Sequence, residues 1–283
     1  VDSTPRTIAS LLAQAAGSLG TDAARLEAEI LLAACLDTPR SHLHAWPERQ
    51  VEPRQRERFA ALLHRRLAGE PVAYLLGWRE FWSLPLTVTP QTLIPRPETE
   101  ALVGLALEKI PRDAPLRVAD LGTGCGAIAL AIARERPRSE VVASDISPAA
   151  LAVARSNAGR LDLGNVRFVC GSWCRPFAVD AFDFILSNPP YVAETDPHLR
   201  EGDVRFEPRP ALAAGPRGMD ALGRIVTDAH DRVRRGGWLI VEHGCDQGAE
   251  VMQLMESRGY RVVSDHTDAS GLSRVTVGRR RPA

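Results

Sequence analysis

Four consecutive residues, Asn188-Pro189-Pro190-Tyr191, follow directly on the apolar run Phe182-Asp183-Phe184-Ile185-Leu186-Ser187. Such a run reads as a buried parallel strand, so the tetrad stands at its carboxyl edge, where open α/β sheets hold their ligands. A planar nitrogen, whether amide or aromatic amine, is a poor nucleophile because its lone pair is delocalised, and it offers two N–H donors for a site to grip. The Asn188 side-chain oxygen can accept one and the Pro189 carbonyl the other, while Pro189 and Pro190 bring no backbone N–H that would repel them. Tyr191 can lay its ring on the acceptor plane. Asn188, Pro189 and Tyr191 are therefore candidate catalytic residues, and Pro190 completes a candidate substrate-binding corner. The competing reading is a stiff turn that closes a strand, since Asn-Pro commonly starts turns.

A second motif, Asp120-Leu121-Gly122-Thr123-Gly124-Cys125-Gly126, lies between an expected strand over 116–119 and an expected helix over 127–133. Glycines at alternate positions let the backbone turn sharply and approach a ligand, with the next helix N-terminus facing it. Nineteen residues beyond Gly126, a strand over 141–144 leads into Asp145, whose carboxylate could accept both hydroxyls of a ribose. The spacing Gly-x-Gly-x-Gly departs from the dinucleotide fingerprint Gly-x-Gly-x-x-Gly and favours S-adenosylmethionine over NAD. Gly122, Thr123, Gly124, Cys125 and Gly126 would then face the methionine portion, with Asn188 bordering the same cofactor. Trp173, after a strand over 166–170, would pack on adenine or serve as an ordinary core aromatic. Cys125 reads as a small packing residue, because no base stands beside it to activate a nucleophile.

Taken in this order, the two motifs resemble the class I, Rossmann-like methyltransferases that act on planar nitrogens. The segments Glu80-Phe81-Trp82-Ser83-Leu84-Pro85-Leu86, Thr92-Leu93-Ile94-Pro95-Arg96-Pro97-Glu98-Thr99-Glu100, and Val204-Arg205-Phe206-Glu207-Pro208 with Ala211-Leu212 narrow the resemblance. They are similar to the peptide chain release factor N5-glutamine methyltransferases, over nearly the whole chain. The resemblance implies methyl transfer from S-adenosylmethionine to the side-chain amide nitrogen of the glutamine in the Gly-Gly-Gln motif of bacterial class 1 peptide chain release factors. A cytoplasmic enzyme that requires no nucleic acid is expected from the lack of a membrane span or signal-peptide pattern and from the balanced charge. Arg96 and Glu207 fall in these segments and take either site or surface roles. Many class I enzymes carry a carboxylate beside adenine where this chain has Ser172.

Three other functions fit parts of the pattern. A methyltransferase for an exocyclic amine of DNA or RNA would use the same tetrad, but it normally needs a cationic groove, and the 35 basic residues here balance 35 acidic ones. A nicotinamide-dependent oxidoreductase and a non-catalytic nucleoside-binding module remain as readings of the glycine loop alone.

These residues need a scaffold, and the 283 residues, 45% apolar and 25% charged, suggest two soluble globular domains or one large one. No apolar run approaches about 18 residues, and the N-terminus lacks a signal-peptide pattern. Five cysteines without Cys-x-x-Cys argue against a disulfide frame and a zinc site, and His42 and His44 read as helix-surface residues. No metal is expected. Residues 1–77 show helical periodicity and are expected to form a bundle that recognises the substrate. Thr4-Pro5 would cap the first helix, Thr21 would cap a second that buries Leu26, Ile30 and Ala33, and a longer one begins near Pro53 with Phe59, Leu62, Leu63 and Leu67 on one stripe. Residues 78–97 suggest a hairpin linker. Residues 98–283 alternate strands and helices into a seven-stranded α/β domain whose last two strands, over 261–264 and 274–277, form an antiparallel edge hairpin. Arg279-Arg280-Arg281 is expected to be a frayed tail.

Overall fold

A computed structural model describes residues 6–282. The chain divides into two compact units, 1–77 and 78–283. The first is helical: α1 (Ile8–Leu19), α2 (Ala24–Leu36), α3 (Arg40–Ala45), α4 (Pro53–Leu67) and α5 (Val72–Leu76). Thr7 caps α1 by accepting the Ser10 N–H at 3.2 Å; Thr4-Pro5 lies outside the described residues. No side chain caps α2, which begins at Ala24 with its N–H on the Thr21 carbonyl. Its buried face is Ala28, Leu31, Leu32 and Cys35, with Ala33 flanking it, whereas Leu26 is exposed. The expected face of Leu26, Ile30 and Ala33 thus lies about half a turn from the packed one, since Leu26 is some 200° from Ala28 at 100° per residue, although Ala33 is buried and Ile30 partly so. In α4, Pro53 follows a reciprocal Glu52–Gln55 capping box, Phe59 is buried, and Leu67 emerges into solvent. His44 is exposed and His42 partly so, as expected.

The second unit opens with a hairpin, β1 (Trp78–Phe81) and β2 (Leu84–Thr87), paired through Phe81 and Leu84. Its two-residue turn, Trp82-Ser83, has φ of 50° and 56°. Positive φ at both centres matches the strand twist but strains residues with a Cβ. Compensating bonds run from the Trp82 N–H to Glu100 at 2.9 Å and from its indole N–H to Glu135 at 3.2 Å.

The remaining elements are α6 (Glu100–Lys109), β3 (Arg117–Leu121), α7 (Ala127–Glu135), β4 (Glu140–Asp145), α8 (Pro148–Arg160), β5 (Val166–Cys170), β6 (Phe182–Ser187), α9 (Asp220–Arg232), β7 (Val233–Glu242), α10 (Gly248–Ser257), β8 (Tyr260–Thr267) and β9 (Ser273–Arg280). The strand order is β5-β4-β3-β6-β7-β9-β8, parallel except for β9, which runs antiparallel to both neighbours. The expected seven-stranded α/β domain with an antiparallel terminal pair is present. Strand β6, flanked by β3 and β7, buries both faces, which is why it reads as a nearly continuous apolar run, whereas β5 at the sheet edge is only partly buried. One face packs Leu222, Ile225, Val226 and Ala229 of α9 and Val251 and Met255 of α10 against Ile185, Leu239 and Val241. The chain order reverses between β3 and β6, and open parallel sheets bind ligands at such a reversal.

The carboxyl-terminal arginines correct the expectation of a frayed tail. Arg279 donates to the Gly236 carbonyl at 2.8 Å and lies 5.4 Å from the Trp238 ring centroid, while Arg280 bonds Asp180 and the Val233 carbonyl. Both belong to β9, a central strand that extends past the apolar stretch visible in the sequence, and only Arg281 lies beyond it.

Candidate active site

A cavity of about 490 Å³ opens at the carboxyl ends of β3, β4, β5 and β6. Of the residues singled out from the sequence, Gly122, Gly124, Asp145, Trp173, Asn188 and Pro190 line it. Thr123, Cys125 and Gly126 stand behind the wall and shape the loop. The Gly122 and Thr123 N–H groups both donate to the Ser144 carbonyl, at 2.8 and 2.9 Å, wrapping the loop around the end of β4. Gly124 donates to Asp145 Oδ2 at 2.9 Å, and the Gly126 N–H closes on the Thr123 carbonyl at 2.8 Å. A Cβ on Gly124, at φ 57°, would meet nothing within 4 Å, whereas one on Gly126, at φ 93°, would press on Leu130 and Ala154 at 3.0 to 3.3 Å. The first glycine leaves room for a ligand and the last leaves room for helix packing.

Asp120, quoted in the motif without a role, anchors this loop from below. It is buried, and its Oδ2 accepts the Thr123 hydroxyl at 2.5 Å and the Ala129 N–H at 3.1 Å. Burial pushes its pKa up to about 7, with the Asp145 charge adding to the rise and the two hydrogen bonds opposing it. Asp145 is pinned at both oxygens, by Gly124 and by the Ser147 N–H at 2.8 Å, and its remaining lone pairs face the cavity. Cys125 is buried with its pKa pushed up to about 12 by desolvation, so it stays a thiol. Its carbonyl accepts the Asn157 amide at 2.9 Å, and the same Asn157 side chain exchanges two bonds with the Thr87 backbone, tying α8 to β2. Trp173 faces the cavity and also packs on the hydrophobic core. Its ring edge lies 3.2 Å from where a Gly122 Cβ would stand.

At the tetrad, the Asn188 Nδ2 donates to Thr99 Oγ1 at 3.0 Å. Among the described residues nothing donates to Asn188 Oδ1 or to the Pro189 carbonyl; Asn188 and Pro190 line the cavity, whereas Pro189 is buried between them and is not part of its wall. Tyr191 does not line the cavity. Its ring packs on the core and its hydroxyl donates to Glu242 Oε1 at 3.1 Å; burial, and then the Glu242 charge, raise its pKa. Glu242 ends β7, is fully buried, and has its pKa pushed up to about 7, chiefly by desolvation. Neither Thr99 nor Glu242 stood out in the sequence as a site residue.

Arg96 and Glu207 form a clasp. The buried Glu207 accepts the Ile94 N–H at 2.9 Å and pairs with Arg96. This joins the segment bearing Thr92 and Leu93 to the one bearing Pro208, Pro210 and Ala211, and both segments line the cavity. Arg96 thus supports a wall, and Glu207 is no surface residue.

Asp145 is the only charged side chain among the lining residues, and the loop N–H groups at 122, 123, 124 and 126 are satisfied internally. A pyrophosphate needs cationic side chains or free N–H groups at a glycine loop. A ligand with hydroxyls for a carboxylate and a positive rather than negative linker fits these walls.

Residues 6–77 match a family model described as the PrmC N-terminal domain, and residues 102–202 match one described as a methyltransferase small domain. Curated relatives include the release factor glutamine methyltransferase of Aliivibrio fischeri, 47% identical with 96% of this chain and 97% of that one covered. The protein of that name from Escherichia coli is 46% identical, covering 92% and 93%. Among solved structures, a methyltransferase from Pyrococcus furiosus superposes with a TM-score of 0.54 at 17% identity, over 78% of this chain and 99% of that one, a likeness of fold.

Proposed function

Because the chain belongs to the release factor glutamine methyltransferases, as its relatives at 46–47% identity over most of its length establish, we propose that it transfers a methyl group from S-adenosylmethionine to the side-chain amide nitrogen of the glutamine in the Gly-Gly-Gln motif of bacterial class 1 release factors. The observation that carries this reading is the unspent Asn188 side-chain oxygen at a cavity whose lining residues carry one charge, the Asp145 carboxylate, with the likewise unspent Pro189 carbonyl next to it in the chain. Asp145 would hold the ribose, the loop from Gly122 to Gly126 the methionine portion, and Trp173 and Ile146 an adenine face. When bound, S-adenosylmethionine supplies a methyl group already activated on a sulfonium.

The protein's own share is positioning. A primary amide has two N–H bonds, and gripping them through Asn188 Oδ1 and the Pro189 carbonyl fixes the nitrogen and favours its pyramidalisation, which frees the lone pair. Holding the nitrogen in line at about 3 to 3.5 Å from the methyl carbon can supply several kcal/mol of the barrier. The grip also strengthens as the nitrogen becomes positive, so it counts more in the transition state than in the ground state. Tyr191, held by Glu242, braces the corner. No strong base is required, because an alkylated amide nitrogen sheds its proton readily.

Residues 1–77 would recognise the release factor, residues 98–283 would carry the chemistry, and 78–97 would link them. A partner in translation would put the reaction in the cytoplasm; no helix among the described residues is long and apolar enough to cross a membrane. The test is mass spectrometry of a purified release factor after incubation with the protein and S-adenosylmethionine. A gain of one methyl on the glutamine of Gly-Gly-Gln is expected. Methylation of an added DNA or RNA instead would overturn the reading.

A further inference from the structure

The tetrad is a stiff corner, and it goes where its two ends are held. Pro189 and Pro190 fix two φ angles and restrict the residues before them, so the chain from Asn188 to Pro190 has little freedom of its own. The sheet holds the upstream end. Ser187 stands in register with Leu121 of β3 and Val241 of β7, and its hydroxyl donates to the Leu121 carbonyl at 2.8 Å. The downstream end is Tyr191. Its hydroxyl goes to Glu242, and its carbonyl is met by a side chain 56 residues away, that of Gln247 at the start of α10.

Both polar atoms of the Gln247 amide are committed. Its Oε1 accepts the Gly244 N–H at 2.8 Å, and because a backbone N–H can only donate, this sets which way the amide is turned. Nε2 then donates to the Tyr191 carbonyl at 3.1 Å and to the Arg217 carbonyl at 3.3 Å. The local turn does not need this reach, since the Gln247 backbone N–H already closes on the Gly244 carbonyl at 2.9 Å. Gly218, at φ 72°, lets the chain pass over the same spot. A Cβ there would stand 2.1 Å from the Tyr191 carbonyl oxygen and 3.0 Å from Gln247 Nε2. Just beyond, Val192 donates to the Leu212 carbonyl and accepts from the Ala214 N–H, both at 2.9 Å. One amide thus fastens the last residue of the tetrad, the turn at 217–218 and the head of α10 to one another.

We propose that Gln247 is a positioning residue for methyl transfer: by holding the Tyr191 carbonyl it sets where the stiff corner puts the Asn188 oxygen and the Pro189 carbonyl. The inference rests on the function proposed above. A proline-locked corner passes a shift at one end to the other, and a misplacement of about 1 Å at the reacting groups can cost about 10²-fold in rate. Gln247 is not among the residues that line the cavity, so its loss should reach turnover without passing through cofactor affinity.

The experiment combines steady-state methylation of a release factor with carbonyl carbon-13 NMR of the full chain without substrate. The chain has three tyrosines, and only Tyr191 precedes a valine, so carbonyl-labelled tyrosine with nitrogen-15 valine identifies its signal. Gln247→Met keeps the length and removes both donors. It should move the Tyr191 signal and lower kcat about 10-fold or more, while KM for S-adenosylmethionine changes little and the protein stays folded at the assay temperature. Gln247→Glu turns an ionised oxygen toward two carbonyls and should be at least as impaired at about pH 8. Its protonated form can donate to Tyr191 again, so its turnover relative to wild type should recover as pH falls toward about 5. Unchanged kcat in Gln247→Met, even with a displaced signal, or a Gln247→Glu that shows no recovery, would overturn the positioning role. A protein that methylates no release factor but whose Tyr191 signal still follows Gln247 would sink the functional reading and leave the grip standing; a signal that ignores Gln247 would sink the grip.

Discussion

Asp145→Asn separates the two duties of that carboxylate, and the outcome can be worked from its contacts. Each oxygen accepts one backbone N–H, from Gly124 at 2.9 Å and from Ser147 at 2.8 Å. Asparagine supplies one oxygen, so one of these donors would confront an NH₂ group. The residue lies at the cavity wall, where water can take over the displaced N–H, and the stability cost should stay near the low end of about 1 kcal/mol. Binding loses more. The substitution removes the charge and one of the acceptors offered to a vicinal diol, and a charge-assisted hydrogen bond contributes about 1.5–3 kcal/mol, which corresponds to roughly a 10- to 150-fold weaker Kd. Isothermal titration calorimetry with S-adenosylhomocysteine reads this directly, with thermal denaturation of the unliganded protein as the control. A variant that binds as tightly as the wild type, or that loses affinity only in proportion to unfolding, would refute the assignment of the ribose to Asp145.

Asn188→Ala should cut kcat by about 10²-fold or more, as expected for one transition-state hydrogen bond, with calorimetric cofactor affinity preserved; full turnover would reject its role. Asn157→Ala strands the Thr87 N–H and two carbonyls and should cost about 2–4 kcal/mol in urea denaturation, while a loss below about 0.5 kcal/mol would show that the tie between α8 and β2 is dispensable. Burial raises the Asp120 pKa from 3.8 to about 7, so between these limits the unfolded chain has released a proton that the native state keeps. Its contribution to stability is therefore present below about pH 4 and lost as pH rises toward 7, and Asp120→Asn should flatten Tm against pH over that interval. A slope as steep in the variant would disprove it.

Much of the catalytic face was legible because a parallel strand buried on both sides announces itself. Phe182–Ser187, such a strand, falls where its apolar run puts it; Val166–Cys170, a half-exposed edge strand, is read from its β-branched and aromatic residues, and whatever follows these parallel strands must lie at the ligand edge. The glycine loop was legible for the same reason. The start of strand β7 is hard to read because its first half, Val233-Arg234-Arg235-Gly236-Gly237, looks like a turn. Gly237 is there because a Cβ would stand 2.5 Å from the Asp183 carbonyl across the β6–β7 pairing. Thr99 and Glu242 escaped notice because their significance is a contact between elements distant in the chain. A glutamate closing a strand and a threonine opening a helix are ordinary locally. Leu26 misled for the opposite reason, since an isolated leucine carries no phase, and the small residues Ala24 and Ala28 mark the packed face of α2 instead.

The inward-turned amides of the loop from Gly122 to Gly126 bear on how readily this scaffold could be repurposed. Recognition by side chains can be rewritten one codon at a time, but here the N–H groups at 122, 123 and 124 are folded onto Ser144 and Asp145, leaving few donors for a diphosphate bridge. A selection for nicotinamide use that varied only the lining residues would search the wrong variable; inserting a residue to rewind the loop is the change that such an experiment would have to sample.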